Sequence, residues 1–167
     1  MTKRLILMRH AKSGWDDPTL YDHERTLTDR GKRGALAIGK WLAANEFAPD
    51  VVLSSTSTRT RETLNGLVES IGEQVVEFQD SLYLAPPGRM LARLQERAEQ
   101  TVLMLAHNPG TAALAEGLVK GAVGHARFRQ HPSASTTVLE FDLECWRDIQ
   151  PSSGQLIGFV TPADLQV

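Results

Sequence analysis

Thr101-Val102-Leu103-Met104-Leu105-Ala106-His107-Asn108-Pro109 turns from an unbroken apolar run to a polar end within one residue. A run this short, with no polar alternation, reads as a β-strand buried on both faces. Asn108 and Pro109 then suit the N-cap and first turn of a helix running towards Lys120. A strand covered on both sides needs helices above and below its sheet, and the flanking sequence provides them. Upstream, Leu5-Ile6-Leu7-Met8 and Val51-Val52-Leu53 repeat the buried-strand pattern, and Val75-Val76-Glu77-Phe78 reads as a further strand. Between them, Ala35, Ile38 and Leu42 recur at helical spacing after an N-cap at Thr28. Leu64, Leu67, Val68 and Ile71 share one helical face, and Pro86-Pro87 opens a helix whose buried stripe is Leu91, Leu94 and Ala98. Downstream, Thr136 to Leu143 and Leu156 to Val160 read as two late strands. The expectation is an α/β fold, a three-layer sandwich with a largely parallel central sheet and helices on both faces.

A chain of 167 residues suits one domain spanning 1–167, and no repeat, low-complexity tract or linker divides it. The net charge of −2 argues against nucleic acid or an anionic membrane surface as partner. Cys145 is the one cysteine, so no internal disulfide forms, which suits a reducing compartment. The apolar run at residues 5–8 is too short for a signal peptide or a membrane span, and a cytoplasmic location is expected.

In open α/β sheets, ligands bind beyond the carboxyl ends of the strands. Three such ends carry polar residues here. The first strand runs into Arg9-His10, the second into Ser54-Ser55 with Arg59 and Arg61 at the start of the next helix, and the strand at 101–106 into His107-Asn108. Each alone is weak, since a histidine or arginine after a strand is commonly a surface residue or a satisfied core residue. Their coincidence at one sheet edge, beside helix N-termini that favour anions, points to a phosphate site. Phosphoryl transfer needs an in-line nucleophile and positive charge around the equatorial oxygens. Imidazole is nucleophilic at neutral pH, and arginine grips phosphate oxygens bidentately. Two arginines and a second histidine supply that charge without Mg²⁺, so no cofactor and no metal is expected. A zinc site from His10, His107 and a carboxylate would lack paired-ligand spacing such as HExxH. His23, His125 and His131 fall in loop-like stretches and receive no catalytic role.

Leu7-Met8-Arg9-His10-Ala11 resembles the Arg-His-Gly signature of the histidine phosphatase (phosphoglycerate mutase-like) superfamily. The stretch Leu53-Ser54-Ser55-Thr56-Ser57-Thr58-Arg59 resembles its second signature, and Leu105-Ala106-His107-Asn108 its second-histidine signature, in the family's order. The short length, Arg25-Thr26-Leu27-Thr28-Asp29-Arg30-Gly31 and His107-Asn108-Pro109-Gly110 resemble the SixA-type branch, named for removing phosphate from phosphohistidine in proteins. The resemblance implies His10 as nucleophile, with Arg9, Arg59 and His107 completing the phosphate pocket. It departs from the signature at Ala11, where glycine is usual. Larger members use a glutamate after the third strand as general acid; Asp80 is the nearest candidate, set against a plain loop carboxylate. Arg25 is similar to an arginine near the pocket in this branch and, with Asn108, is a candidate for substrate contact.

Three functions remain open at this point. A phosphohistidine phosphatase would take a phosphorylated protein, a phosphomonoesterase a small metabolite or sugar phosphate, and a silent member would only bind phosphate or phosphoprotein. Retention of the nucleophile argues against the last. The chain also lacks room for the insertions that enclose a bisphosphate in a mutase. Only about seventeen residues separate His10 from the helix near Thr28, so little chain is available for a lid. The pocket is expected to be open and shallow.

Overall fold

In the first strand, β1 (Thr2–Arg9), Leu5 and Leu7 pack to one side of a sheet while Ile6 and Met8 pack to the other. All four are fully buried, as a strand with two covered faces requires. A computed structural model of the chain, describing residues 1–167, carries this pattern through a six-stranded sheet. The other strands are β2 (Val51–Ser55), β3 (Val76–Gln79), β4 (Thr101–Ala106), β5 (Thr136–Asp142) and β6 (Gln155–Val160). Their order is β3-β2-β4-β1-β5-β6. The first four lie parallel, and β5 and β6 add an antiparallel edge, so the sheet is largely parallel.

Helices α1 (Asp29–Ala44) and α2 (Thr58–Ile71) cover one face through Ala35, Ile38, Leu42, Leu64 and Leu67. Helices α3 (Pro87–Gln95) and α4 (Gly110–Leu118) cover the other through Met90, Leu94, Leu114 and Leu118. The three layers expected from the sequence are therefore present. No helix is long and apolar enough to cross a membrane.

Two local readings need correction. Ala98 was expected on the buried stripe of α3, but that helix ends at Gln95 and Ala98 is exposed. The chain must turn at 96–100 to enter β4, and the carbonyls of Ala98 and Glu99 are taken by the Lys3 ammonium; Met90 fills the stripe instead. At α4, Pro109 takes the N-cap position, one residue later than expected. Asn108 still acts as a cap, because its Oδ1 accepts from the Ala112 amide at 3.2 Å.

The start of α1 is where backbone crowding matters for the site. A Cβ on Gly31 would stand 2.1 Å from the Lys12 carbonyl oxygen, which itself accepts from the Thr28 amide at 3.0 Å. Only glycine lets the residue 11–28 connection pack this tightly on α1. That connection holds a short 3-10 turn at Asp22–Glu24.

Candidate active site

Strand pairing sets the nucleophile candidate beside its companion. Arg9 lies opposite Ala106 in the β1–β4 ladder, so His10 and His107 leave adjacent strands at the same level. Their ring centroids are 5.3 Å apart. Three elements hold the His10 backbone: its amide donates to Ala106 O, its carbonyl accepts from Ala134 N, and the next amide donates to Thr63 Oγ1. Thr63 in turn donates to the Arg59 carbonyl at 2.7 Å. One hydroxyl on α2 thus fixes the spacing between histidine and arginine. Arg59 itself sits in the first turn of α2, capped by Ser57, where the helix dipole adds positive potential.

The hydrogen bonds define the tautomers. Nδ1 of His10 lies 2.7 Å from the Ala11 carbonyl oxygen, which can only accept, so Nδ1 carries the proton. Nε2 keeps its lone pair and faces Arg59 Nε at 3.4 Å. At His107, Nδ1 faces Arg59 Nη2 at 3.3 Å, and an arginine can only donate; Nε2 therefore donates to Ser55 Oγ at 2.8 Å. His10, Arg59 and His107 are 8%, 2% and 1% exposed. Burial, followed for His10 by Arg59 and for His107 by His10 and Arg59, lowers both imidazoles to about 3. Burial and the Arg59 charge also lower Arg9 from its ordinary value, and its buried Nε has no hydrogen-bond partner. Such a pocket is short of negative charge.

The sequence-predicted residues divide into two groups. His10, Arg9, Arg59 and His107 converge. Arg25 joins them indirectly, donating to Asp22 Oδ1 at 2.9 Å, Ser13 Oγ and Gly14 O, with Trp15 stacked 3.4 Å over its guanidinium. Asn108 is committed to backbone, donating to Gln130 O and His131 O while capping α4. Asp80 is exposed and accepts from Thr56 Oγ1 at 2.6 Å; it makes no hydrogen bond with His10, Arg59 or His107. His131, read as a loop residue, is fully buried, and its carbonyl accepts from Arg9 at 3.3 Å.

Sequence reasoning missed Asp22 and Tyr83. The Asp22 carbonyl accepts from Arg59 Nη1 at 2.7 Å and its Oδ2 from Arg59 Nη2 at 3.0 Å, and the Tyr83 hydroxyl also donates to Oδ2. The Tyr83 ring stands edge-on to His107 at 5.4 Å. The signal for Asp22 was its spacing, three residues before Arg25 in a stretch without apolar periodicity. The 11–28 connection therefore folds over the pocket, and His10 is less open to solvent than its short length suggested.

These imidazole shifts make acid stability testable. An unfolded histidine takes a proton near pH 6.5, whereas folded His10, His107 and His131 resist until about 3. Between those values the unfolded chain binds more protons, so stability falls as pH drops from 6.5 towards 3. The slope is at most about 1.4 kcal/mol per pH unit for each histidine. Urea midpoints should fall steadily from pH 7 to pH 4.5, and these three rings should show no NMR titration in that window. Titration of the His10 or His107 ring near 6.5 would contradict the neutral site.

The comparisons with known proteins agree with this arrangement. The profile of the histidine phosphatase superfamily (branch 1) matches residues 5–82. A Mycobacterium tuberculosis protein is 35% identical over 93% of this chain and 99% of its own length. A candidate phosphohistidine phosphatase SixA from Nakamurella multipartitia is 30% identical in sequence, with a TM-score of 0.82 over 97% of both chains. Its counterpart from Agrobacterium tumefaciens is 26% identical, with a TM-score of 0.79 over 96% of this chain and 98% of that one. With the signatures of residues 9–10, 59 and 107 gathered at one sheet edge on this fold, the chain belongs to the histidine phosphatase superfamily, in its SixA-type branch.

Proposed function

We propose that this phosphatase removes phosphate from phosphohistidine in a protein, by way of a phosphohistidine formed on its own His10, without a metal ion. The observation that carries the reading is the lone pair of His10 Nε2, directed at Arg59 inside a pocket also lined by Arg9 and His107. A bound phosphoryl group would take donors from Arg9 and Arg59, and its charge would favour a protonated His107 that adds another donor. Three positive groups around the equatorial oxygens would do the work that Mg²⁺ does elsewhere. Nε2 attacks phosphorus and the leaving atom departs on the opposite side. Water then attacks the phosphohistidine, and the electron pair of the P–N bond returns to His10.

Substrate class follows from what surrounds the pocket. β3 reaches α3 through residues 80–86 alone, and the 119–135 connection meets the site through backbone groups of Gln130, His131 and Ala134 that already bond Asn108, Arg9 and His10. Few groups can therefore grip the remainder of a small molecule, while a protein surface can supply its own contacts around the rim. The two SixA candidates of similar fold support the same substrate.

The test is a panel of a phosphohistidine-bearing protein, 4-nitrophenyl phosphate and several sugar phosphates, run with and without EDTA. The highest kcat/KM is expected on the phosphoprotein, unchanged by EDTA and inhibited by vanadate, which mimics the trigonal-bipyramidal phosphoryl group. A metabolite preferred by about tenfold or more, roughly 1.4 kcal/mol of discrimination, would replace the proposal with a small-molecule phosphatase. Loss of activity with EDTA, restored by zinc or manganese, would end the metal-free mechanism.

A further inference from the structure

We propose that Asp22, rather than Asp80, protonates the departing group, standing across the Arg59 guanidinium from His10. This inference rests on the His10 mechanism above and names the acid that mechanism lacks.

The geometry follows from one side chain. Arg59 meets His10 through Nε and meets Asp22 through Nη1 and Nη2. A phosphoryl group bound along that guanidinium has the nucleophile at one end and the Asp22 carboxylate at the other. In-line displacement sends the leaving group away from the nucleophile, hence towards Asp22. The side chain of Asp22 is 37% exposed, whereas that of Arg59 is 3% exposed, so the acid sits at the mouth and the arginine at the floor. Asp80 fails the same requirement, because its carboxylate is held on the rim by Thr56 and bonds none of the phosphate-pocket residues.

Substrate binding loads the acid with its proton. In the free protein, donors from Tyr83, Arg25 and Arg59 hold the Asp22 carboxylate ionised and well below the usual range. A phosphate dianion on Arg59 takes over that donor and sets negative charge beside the carboxylate. Both changes favour the protonated acid, and its proton comes from solvent at the partly exposed carboxylate. As the bond from His10 Nε2 to phosphorus forms, the bond from phosphorus to the leaving atom breaks. Its electron pair stays on the leaving atom, which takes the Asp22 proton. Asp22 is then a carboxylate beside the phosphohistidine and can accept a proton from the attacking water. Free phosphate departs, Asp22 returns its proton to solvent, and the starting protein results with atoms and charges in balance.

Asp22→Asn separates this role from a structural one. An asparagine has the same shape and lies on a partly exposed turn, but it has no proton to give. The readout is kcat/KM, which covers only the steps up to departure of the leaving group. Phenyl phosphate leaves as a phenol with a pKa of about 10. On it the variant should lose about 100-fold or more, the lower range for a general acid. On 4-nitrophenyl phosphate, which needs little protonation, the loss should stay under about tenfold. Asp22→Glu should recover part of the phenyl phosphate activity. Equal losses on both esters, or a leaving-group-dependent loss in Asp80→Asn instead, would overturn the assignment. Trapping phosphate on His10 in wild type and in Asp22→Asn keeps the two inferences apart. A trapped phosphoenzyme with no leaving-group effect removes Asp22 alone, whereas no phosphate on wild-type His10 removes the mechanism beneath it.

Discussion

His10→Ala abolishes turnover: kcat is expected to fall by about four orders of magnitude or more, the scale at which loss of a covalent nucleophile leaves only binding and electrostatics. The size of the effect follows from isolation. His10 Nε2 is the sole partner of Arg59 Nε, whereas the unshared pair of His107 Nδ1 faces a different nitrogen, Nη2, which also donates to Asp22. His107 is not placed to stand in, because its Nδ1 pair faces Arg59 Nη2, its Nε2 donates to Ser55 and its ring lies edge-on against Tyr83. The substitution removes a buried ring held by two hydrogen bonds, one to the Ala11 carbonyl and one from Arg59 Nε, so the fold should persist and circular dichroism should match wild type. Quenching wild type without acid during turnover should show phosphate on His10, and the variant should show none. Undiminished activity in the variant would refute the mechanism.

Arg59→Ala is the second large loss, about two to three orders of magnitude in kcat. Arg59 contacts both histidines and Asp22, so in the proposed mechanism it would meet the phosphoryl group, the nucleophile and the acid together. Charge on the equatorial oxygens is best matched in the transition state, so kcat should bear most of the effect. A change confined to KM would mean that Arg59 only docks the substrate. Arg59→Lys should recover little, because a single ammonium cannot replace a planar fork that meets several partners. Since Arg59 also ties down the Asp22 carbonyl, the phenyl and nitrophenyl esters should both suffer.

The layout of the sheet and the four converging residues were legible in the sequence for a common reason. Strands buried on both faces show no polar alternation, so Leu5 to Met8 and Val102 to Ala106 stand out, and the polar residues that follow them must lie at one edge. Asp22 and Tyr83 were illegible because they belong to irregular connections. Neither shows periodicity, and their positions depend on tertiary contacts: Arg59 reaches Asp22 across 37 residues and Tyr83 reaches it across 61. Asp80 illustrates the converse. Its place after β3 matches the position of the family's glutamate, yet a hydrogen bond from Thr56 holds its exposed carboxylate away from His10, Arg59 and His107. Ala98 was misplaced because helical spacing was extended past the turn that β4 needs.

The position of β1 and β4 at the middle of the sheet divides the site by its tempo of motion. His10 and His107 follow strands whose side chains are wholly buried from Leu5 to Met8 and from Val102 to Ala106, and such segments exchange their amides only when the entire chain unfolds. Asp22 and Arg25 ride instead on an irregular connection whose base is closed by the Lys12–Thr28 and Gly14–Thr26 backbone bonds and whose tip is held by side-chain bonds, the kind of tip that opens by itself. Inheritance can act on the two halves separately. Substitutions in residues 11–28 can reshape what the pocket admits while the nucleophile keeps its place. A single ancestral chemistry can in this way diversify in substrate with no rebuilding of the barrier-lowering part.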